Sequence, residues 1–123
     1  MSPQPTVTSE IVQGRAPTTI LHLKGGLDLK SEGVLWDAAR KAHEVGARLL
    51  IIDLAGVDRV TSAGMRTLTK IFKLFTPEGE NASAVNVRMC GGPDHVTDVL
   101  EMTGFLKRIP HHRSQQAAMD AFG

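Results

Sequence analysis

The sequence predicts an α/β fold: a small mixed β-sheet of four to five strands with about four helices, in one domain spanning residues 1–123. Three observations carry this. Segments rich in β-branched residues give way to segments with apolar residues at helical spacing, and a short continuous apolar run, "RLLIIDL", stands between two of the helical stretches. Gly, Pro and Ser punctuate the junctions.

Taken in order, "TVTSEIVQ" and "TTILHLKG" are separated by "GRAP" and predict a hairpin or adjacent strands, with Leu21 and Leu23 alternating with Ile20, His22 and Lys24. "GGLDLK" then reads as a loop, and Ser31 as the N-cap of a helix carrying Leu35, Ala38, Ala39, Ala42 and Val45, closed by Gly46. "RLLIIDL" predicts a buried, parallel strand. The next helix places Met65, Leu68, Ile71, Phe72 and Phe75 on one side and turns Arg66, Lys70 and Lys73 elsewhere. "TPEGENAS" reads as a loop, "AVNVRMC" as a strand, and "GGPD" as a turn with Pro93 near a helix start. "HVTDVLEMT" predicts a helix stopped by Gly104, "KRIPHH" a final edge strand that tolerates Pro110, and "SQQAAMDAF" a short helix capped by Ser114.

Composition narrows the function. Fourteen Lys and Arg against thirteen Asp and Glu leave a net charge of +1, too little for the electrostatic footprint of nucleic-acid binding. The start "MSPQPTVTSE" lacks the basic and apolar regions of a signal peptide, and no apolar run approaches a membrane span, so a cytoplasmic chain with no membrane partner is expected. A single cysteine, Cys90, forms no internal disulfide, in keeping with a reducing compartment.

In open α/β sheets, sites form beyond the carboxyl ends of the strands, and three junctions share that edge here: "GGLD", "VTSAG" and "CGGPDH". Thr61 and Ser62 are therefore the candidate functional hydroxyls. Ser62 falls at or just before the first helical residue, where backbone N–H groups favour an anion; a plain helix cap is the alternative use of such a residue.

These residues, in order, resemble a STAS domain of the anti-sigma factor antagonist family. "LHLKGGLDL" is similar to its strand and Gly-x-Leu-Asp loop, "LLIIDLAGVDRVTSAGMRTL" to its apolar strand and Ser-containing motif opening a helix, and "DVLEMTGFLKRI" to its late helix, Gly and final strand. The resemblance runs from about Val7 to Phe122. It implies partner switching: the unphosphorylated protein binds an anti-sigma factor that is itself a serine kinase of the histidine-kinase-like ATPase type, releasing a sigma factor. Phosphorylation by that kinase switches it off, and a PP2C-type phosphatase reverses the mark. It further implies Ser62 as the phosphoacceptor, Gly64 as a close-packing glycine and Asp28 as the loop acid on the same edge, with Asp28, Thr61, Ser62 and Gly64 together forming the partner-binding surface and Asp28 helping to contact the kinase. No catalysis and no cofactor are implied. Thr61 departs from the family, which usually has Asp immediately before the phosphoserine. Being a loop acid, Asp28 is expected near Ser62, exposed and of little weight in stability.

Other readings are a STAS subunit of another assembly, such as a stressosome scaffold or lipid-transport complex, and, more remotely, a serine hydrolase. "VTSAG" lacks the first glycine of a nucleophile elbow, and His95, His111 and His112 show no spacing that ties one to Ser62. With no CxxC or HxxxH, Cys90 and these histidines predict no metal site and read as surface histidines. His22 reads as a satisfied core or edge histidine, Trp36 as packing, and Met65 as core.

Overall fold

The computed structural model describes residues 4–76 and 85–122. Five strands, β1 (Thr6–Gln13), β2 (Pro17–Leu27), β3 (Leu49–Val60), β4 (Val87–Cys90) and β5 (His111–His112), lie side by side in chain order. β1 and β2 form the expected antiparallel hairpin, with Thr6 opposite Lys24 and Gln13 opposite Pro17. Every later pairing is parallel. Helices α1 (Glu32–Glu44), α2 (Ser62–Phe75), α3 (Asp94–Met102) and α4 (Gln115–Ala121) follow β2, β3, β4 and β5 in turn.

The apolar run of β3 is buried on both faces. Leu50, Ile52 and Leu54 pack with Leu35 and Ala39 of α1, Leu68, Ile71 and Phe75 of α2, and Val96 and Leu100 of α3. Ile51 turns the other way, with Ile20 and Cys90, onto Ala118 of α4. Two covered faces are why the run is continuous rather than alternating. Each fully buried Leu or Ile contributes roughly 1.5–3 kcal/mol relative to exposure.

Both central strands run further than their patterns predict. β2 continues through Gly25 and Gly26 to Leu27, and β3 through residues 55–60, so "GGL" is strand and only Asp28 to Ser31 turns. The alternation is lost because the register shifts between His22 and Lys24 and again between Gly25 and Gly26. Gly56 sits so near β2 that a Cβ would stand 3.1 Å from the Leu23 carbonyl oxygen.

Among the helices, α2 matches its predicted stripe: Leu68, Ile71 and Phe75 are buried, Met65 and Phe72 pack against them, and Arg66, Lys70 and Lys73 are exposed. Gly104 in the left-handed region (φ 76°) follows α3, and the Ser114 hydroxyl accepts the Ala117 N–H at 3.1 Å to cap α4. Three expectations are corrected. Ser31 stands at the N-cap position of α1 as expected, but its side chain makes no capping bond; its hydroxyl accepts the Asp28 N–H at 3.1 Å and closes the preceding turn instead. Val45 lies beyond the last residue of α1 and is 82% exposed, because the helix ends one residue short of it before Gly46. Most of "KRIPHH" is not strand: Lys107 belongs to a 3-10 turn (Phe105–Lys107), and only His111 and His112 pair with β4. Pro110 precedes that pair, and its carbonyl accepts the Met89 N–H at 2.8 Å. Most of the expected loop "TPEGENAS", residues 77–83, lies outside the described residues, as does Ala84 of the expected strand "AVNVRMC", whose paired part is residues 87–90.

Candidate functional site

At the carboxyl edge the last β2–β3 pair is Leu27 with Val60. One residue later the chains separate, Asp28 into the turn before α1 and Thr61 into α2, and the Thr61 N–H still donates to the Leu27 carbonyl at 3.0 Å. Gly64 holds the helix start against this strand end. A Cβ on Gly64 would overlap the Leu27 carbonyl, so only glycine lets the first turn of α2 lie there without the backbone moving.

The two neighbouring hydroxyls have different employment. Thr61 is the N-cap, extended at φ −124°, and its oxygen accepts the Gly64 N–H over a long 3.4 Å. Ser62 is the first helical residue and exposed, and its hydroxyl has no hydrogen-bond partner among the described residues. It lines a shallow groove of about 440 Å³ beside Glu32 of α1 and Met65, Arg66, Thr69 and Lys70 of α2. Lys70 places its ammonium 4.4 Å from the centre of the Trp36 ring. Trp36 packs, as expected, against the core.

Asp28 is different from its sequence reading. It is only 7% exposed, because Arg59 lies across it: one carboxylate oxygen accepts from Nε at 3.0 Å and from Nη2 at 2.9 Å. The other oxygen accepts the Ser31 N–H at 3.2 Å. Gly26 leaves room for this pair, since a Cβ there would come within 2.9 Å of the Arg59 Nε. Asp28 and Ser62 do leave the same edge, but they border separate depressions, Asp28 lining one of about 400 Å³ with Lys24, Lys30 and Arg59. Arg59 was not legible as a site residue. The signal that finds it is register: it stands opposite Gly26 in the extended strand pair.

The densest polar cluster lies elsewhere, on the sheet face that α4 partly covers. Thr8, His22, Asp53, Cys90 and His112 follow one another across all five strands. His22 donates from Nδ1 to Asp53 at 2.6 Å and meets Glu10 through Nε2 at 3.3 Å. Burial pulls the imidazole pKa down, but hydrogen bonds to Asp53 and Glu10 and their charges outweigh it, so the value is raised. Burial, reinforced by Asp53, pushes the Cys90 thiol up to about 12, which keeps it protonated and unreactive. Arg88 donates to His112 Nε2 at 3.0 Å, and burial, Arg88 and His111 lower that imidazole's pKa.

The histidines expected at the surface are otherwise engaged. His95 is exposed but donates to the Asp58 carbonyl at 2.6 Å, while His111, half-buried, donates to the Gly91 carbonyl at 2.7 Å. His43 stacks edge-on against Phe75. Every histidine therefore has a partner other than Ser62. Among the described residues no three His, Cys, Asp or Glu side chains converge to hold a metal, and no helix is long and apolar enough to cross a membrane.

Comparison with known proteins gives the same outline. A model of the STAS domain family matches residues 9–118. Over 78 residues the chain is 35% identical to a Bordetella bronchiseptica protein named as an anti-sigma factor antagonist, BtrV. That match takes in 63% of this chain and 62% of the relative, less than two thirds of its length. A Thermotoga maritima structure described as an anti-sigma factor antagonist superposes with a TM-score of 0.79 at 15% identity, covering 94% of this chain and 93% of that one. The Bacillus cell fate determinant SpoIIAA in its phosphorylated form gives 0.65 at 14% identity, covering 96% and 100%. At such identities the two structures establish the fold: an α/β domain with a five-stranded mixed sheet and four helices.

Proposed function

The chain belongs to the STAS domain family, and on that premise we propose that it is an anti-sigma factor antagonist that works by partner switching, with Ser62 as its phosphorylated residue. The observation that carries this is the state of the two hydroxyls: Thr61 is occupied as a cap, whereas Ser62 is exposed, without a hydrogen-bond partner among the described residues, and the first residue of α2. In the unphosphorylated form the edge around Thr61, Ser62 and Gly64 binds an anti-sigma factor, itself a serine kinase of the histidine-kinase-like ATPase type, and so frees a sigma factor. Asp28, which holds Arg59 and the turn to Ser31, adds to the same edge of the sheet.

In the modification step the Ser62 Oγ attacks the γ-phosphorus of ATP held by the kinase. The bond to the β-phosphate oxygen breaks, ADP leaves, and the hydroxyl proton passes to a base on the kinase. A PP2C-type phosphatase restores the hydroxyl, water supplying the oxygen that leaves as inorganic phosphate. The chain contributes a substrate residue and a binding surface, and is not itself an enzyme.

A phosphate at Ser62 adds roughly −1.5 to −2 charge at a helix start able to bear it, so the unbound domain stays folded. At a packed interface the same group must lose its hydration, at a cost of several kcal/mol. Each 1.4 kcal/mol is about tenfold in affinity. Calorimetric titration of both forms against the cognate kinase is expected to show binding at least about tenfold weaker for the phosphorylated form. Equal affinities, or phosphate mapped to Thr61 alone, would overturn the assignment. Tight binding to a scaffold or transport complex instead of a kinase would place the domain in another STAS assembly.

A further inference from the structure

We propose that Arg66 receives the phosphoryl group when Ser62 carries one, so that the groove between α1 and α2 is a built-in site for a phosphomonoester dianion. The inference rests on Ser62 being the modified residue and adds what happens to the charge afterwards.

Ser62 and Arg66 are exposed, lie four residues apart on α2 and line the same groove. Side chains at that spacing share one helix face with Cβ atoms about 6 Å apart, and a helical side chain leans toward the N-terminus. Both side chains line one groove, which puts a phosphate on Ser62 within the span of the long Arg66 side chain. It is available: no ion pair engages Arg66 among the described residues. Lys70, the other cation of the groove, is committed to the Trp36 ring. The first turn of α2 contains no carboxylate to compete, and the one acid lining the groove among the described residues, Glu32, belongs to α1. A planar guanidinium matches phosphate oxygens two at a time, so the pair gains geometry as well as charge.

The consequence is a phosphorylated state held by its own chain. The dianion is drawn along α2 toward Arg66, and removal of Arg66 leaves it to the backbone N–H groups of the helix start alone.

The test uses the full chain with phosphoserine incorporated at position 62 during translation, and a phosphorus NMR titration of that group. Free phosphoserine loses its second proton near pH ~6. The expected result is a midpoint below that value, and a midpoint higher by roughly 0.3 unit or more in the Arg66→Gln variant, about a twofold change in proton affinity. Backbone N–H groups act equally in both proteins, so the difference isolates Arg66. Because Arg66 is exposed, the variant is expected to melt as the parent does. A smaller difference between the two midpoints would overturn the proposal. The answer does not depend on a kinase; failure of the switch itself would appear separately, as protein recovered from its own cells with no phosphate on Ser62.

Discussion

The carboxyl edge and the α4 face of the sheet are both polar, yet they are built on opposite plans. On the α4 face, Glu10, His22, Asp53 and Cys90 satisfy one another across four strands, and little is left over for a ligand. At the edge the polar groups divide: Asp28, Arg59 and Ser31 close among themselves, while Ser62, one strand away, has no hydrogen-bond partner among the described residues. A dense cluster of titratable groups is here a way of holding the sheet together. The group placed for chemistry is the one whose neighbours are already satisfied without it.

That contrast can be broken at three points. The largest effect is expected at Asp28, where Asp28→Ala removes a buried carboxylate with three hydrogen bonds and leaves Arg59 only the exposed Asp58 carboxylate at 3.8 Å. Since Arg59 is half exposed, water recovers part of the loss, and a destabilisation of about 2 kcal/mol is expected in chemical denaturation. A change under about 0.5 kcal/mol would restore the reading of Asp28 as a free surface acid.

The second point is His22. Its pKa in the folded chain is raised above 6.5, so the stability it contributes is fully present below pH 6.5 and is lost as pH rises through the folded value. His22→Gln is therefore expected to cost on the order of 1 kcal/mol at pH 5.5 and less at pH 8.5. A cost that is equal at both pH values, or larger at the higher one, would mean that the two carboxylates do not hold an imidazolium between them.

Smallest of the three is Ser62→Ala. With no hydrogen-bond partner among the described residues and an exposed position, it should shift stability by less than about 0.5 kcal/mol in the same denaturation experiment, even while it removes the phosphoacceptor. A larger loss would show that Ser62 is a structural residue like its neighbour Thr61.

How much of this was readable from the sequence depended on distance along the chain. α2, α3 and α4 were legible because their signals are local: a stripe of Leu68, Ile71 and Phe75, a stop at Gly104, a cap at Ser114. Ser31 shows how far such signals go, for the same residue type satisfied a turn behind it instead of the helix ahead. The ends of β2 and β3 were not legible, because glycines and two register shifts erase the alternation that marks a strand. Nor were the pairs Asp28–Arg59 and His22–Asp53, each joining residues 31 positions apart. Those depend on which residues the parallel register brings opposite one another, and no window along the chain contains both partners. Thr61, Ser62 and Gly64 stood out because a strand-to-helix junction is itself a local pattern.

The sheet order has a consequence for how the domain is made. Spatial order and chain order coincide, so no strand has to be threaded between two that are already paired. A chain emerging from the ribosome can close the β1–β2 hairpin first, a fast local event, and then add β3, β4 and β5 in turn to a single growing side. Each new strand pairs with the one before it, β4 along Leu50–Asp53 of β3 and β5 along Met89–Cys90 of β4. The last contributes two residues only, leaving almost nothing on that side for a stray strand to extend. The eight-residue β1, paired on one flank alone among the described residues, is the margin that stays open from the first step of synthesis to the last.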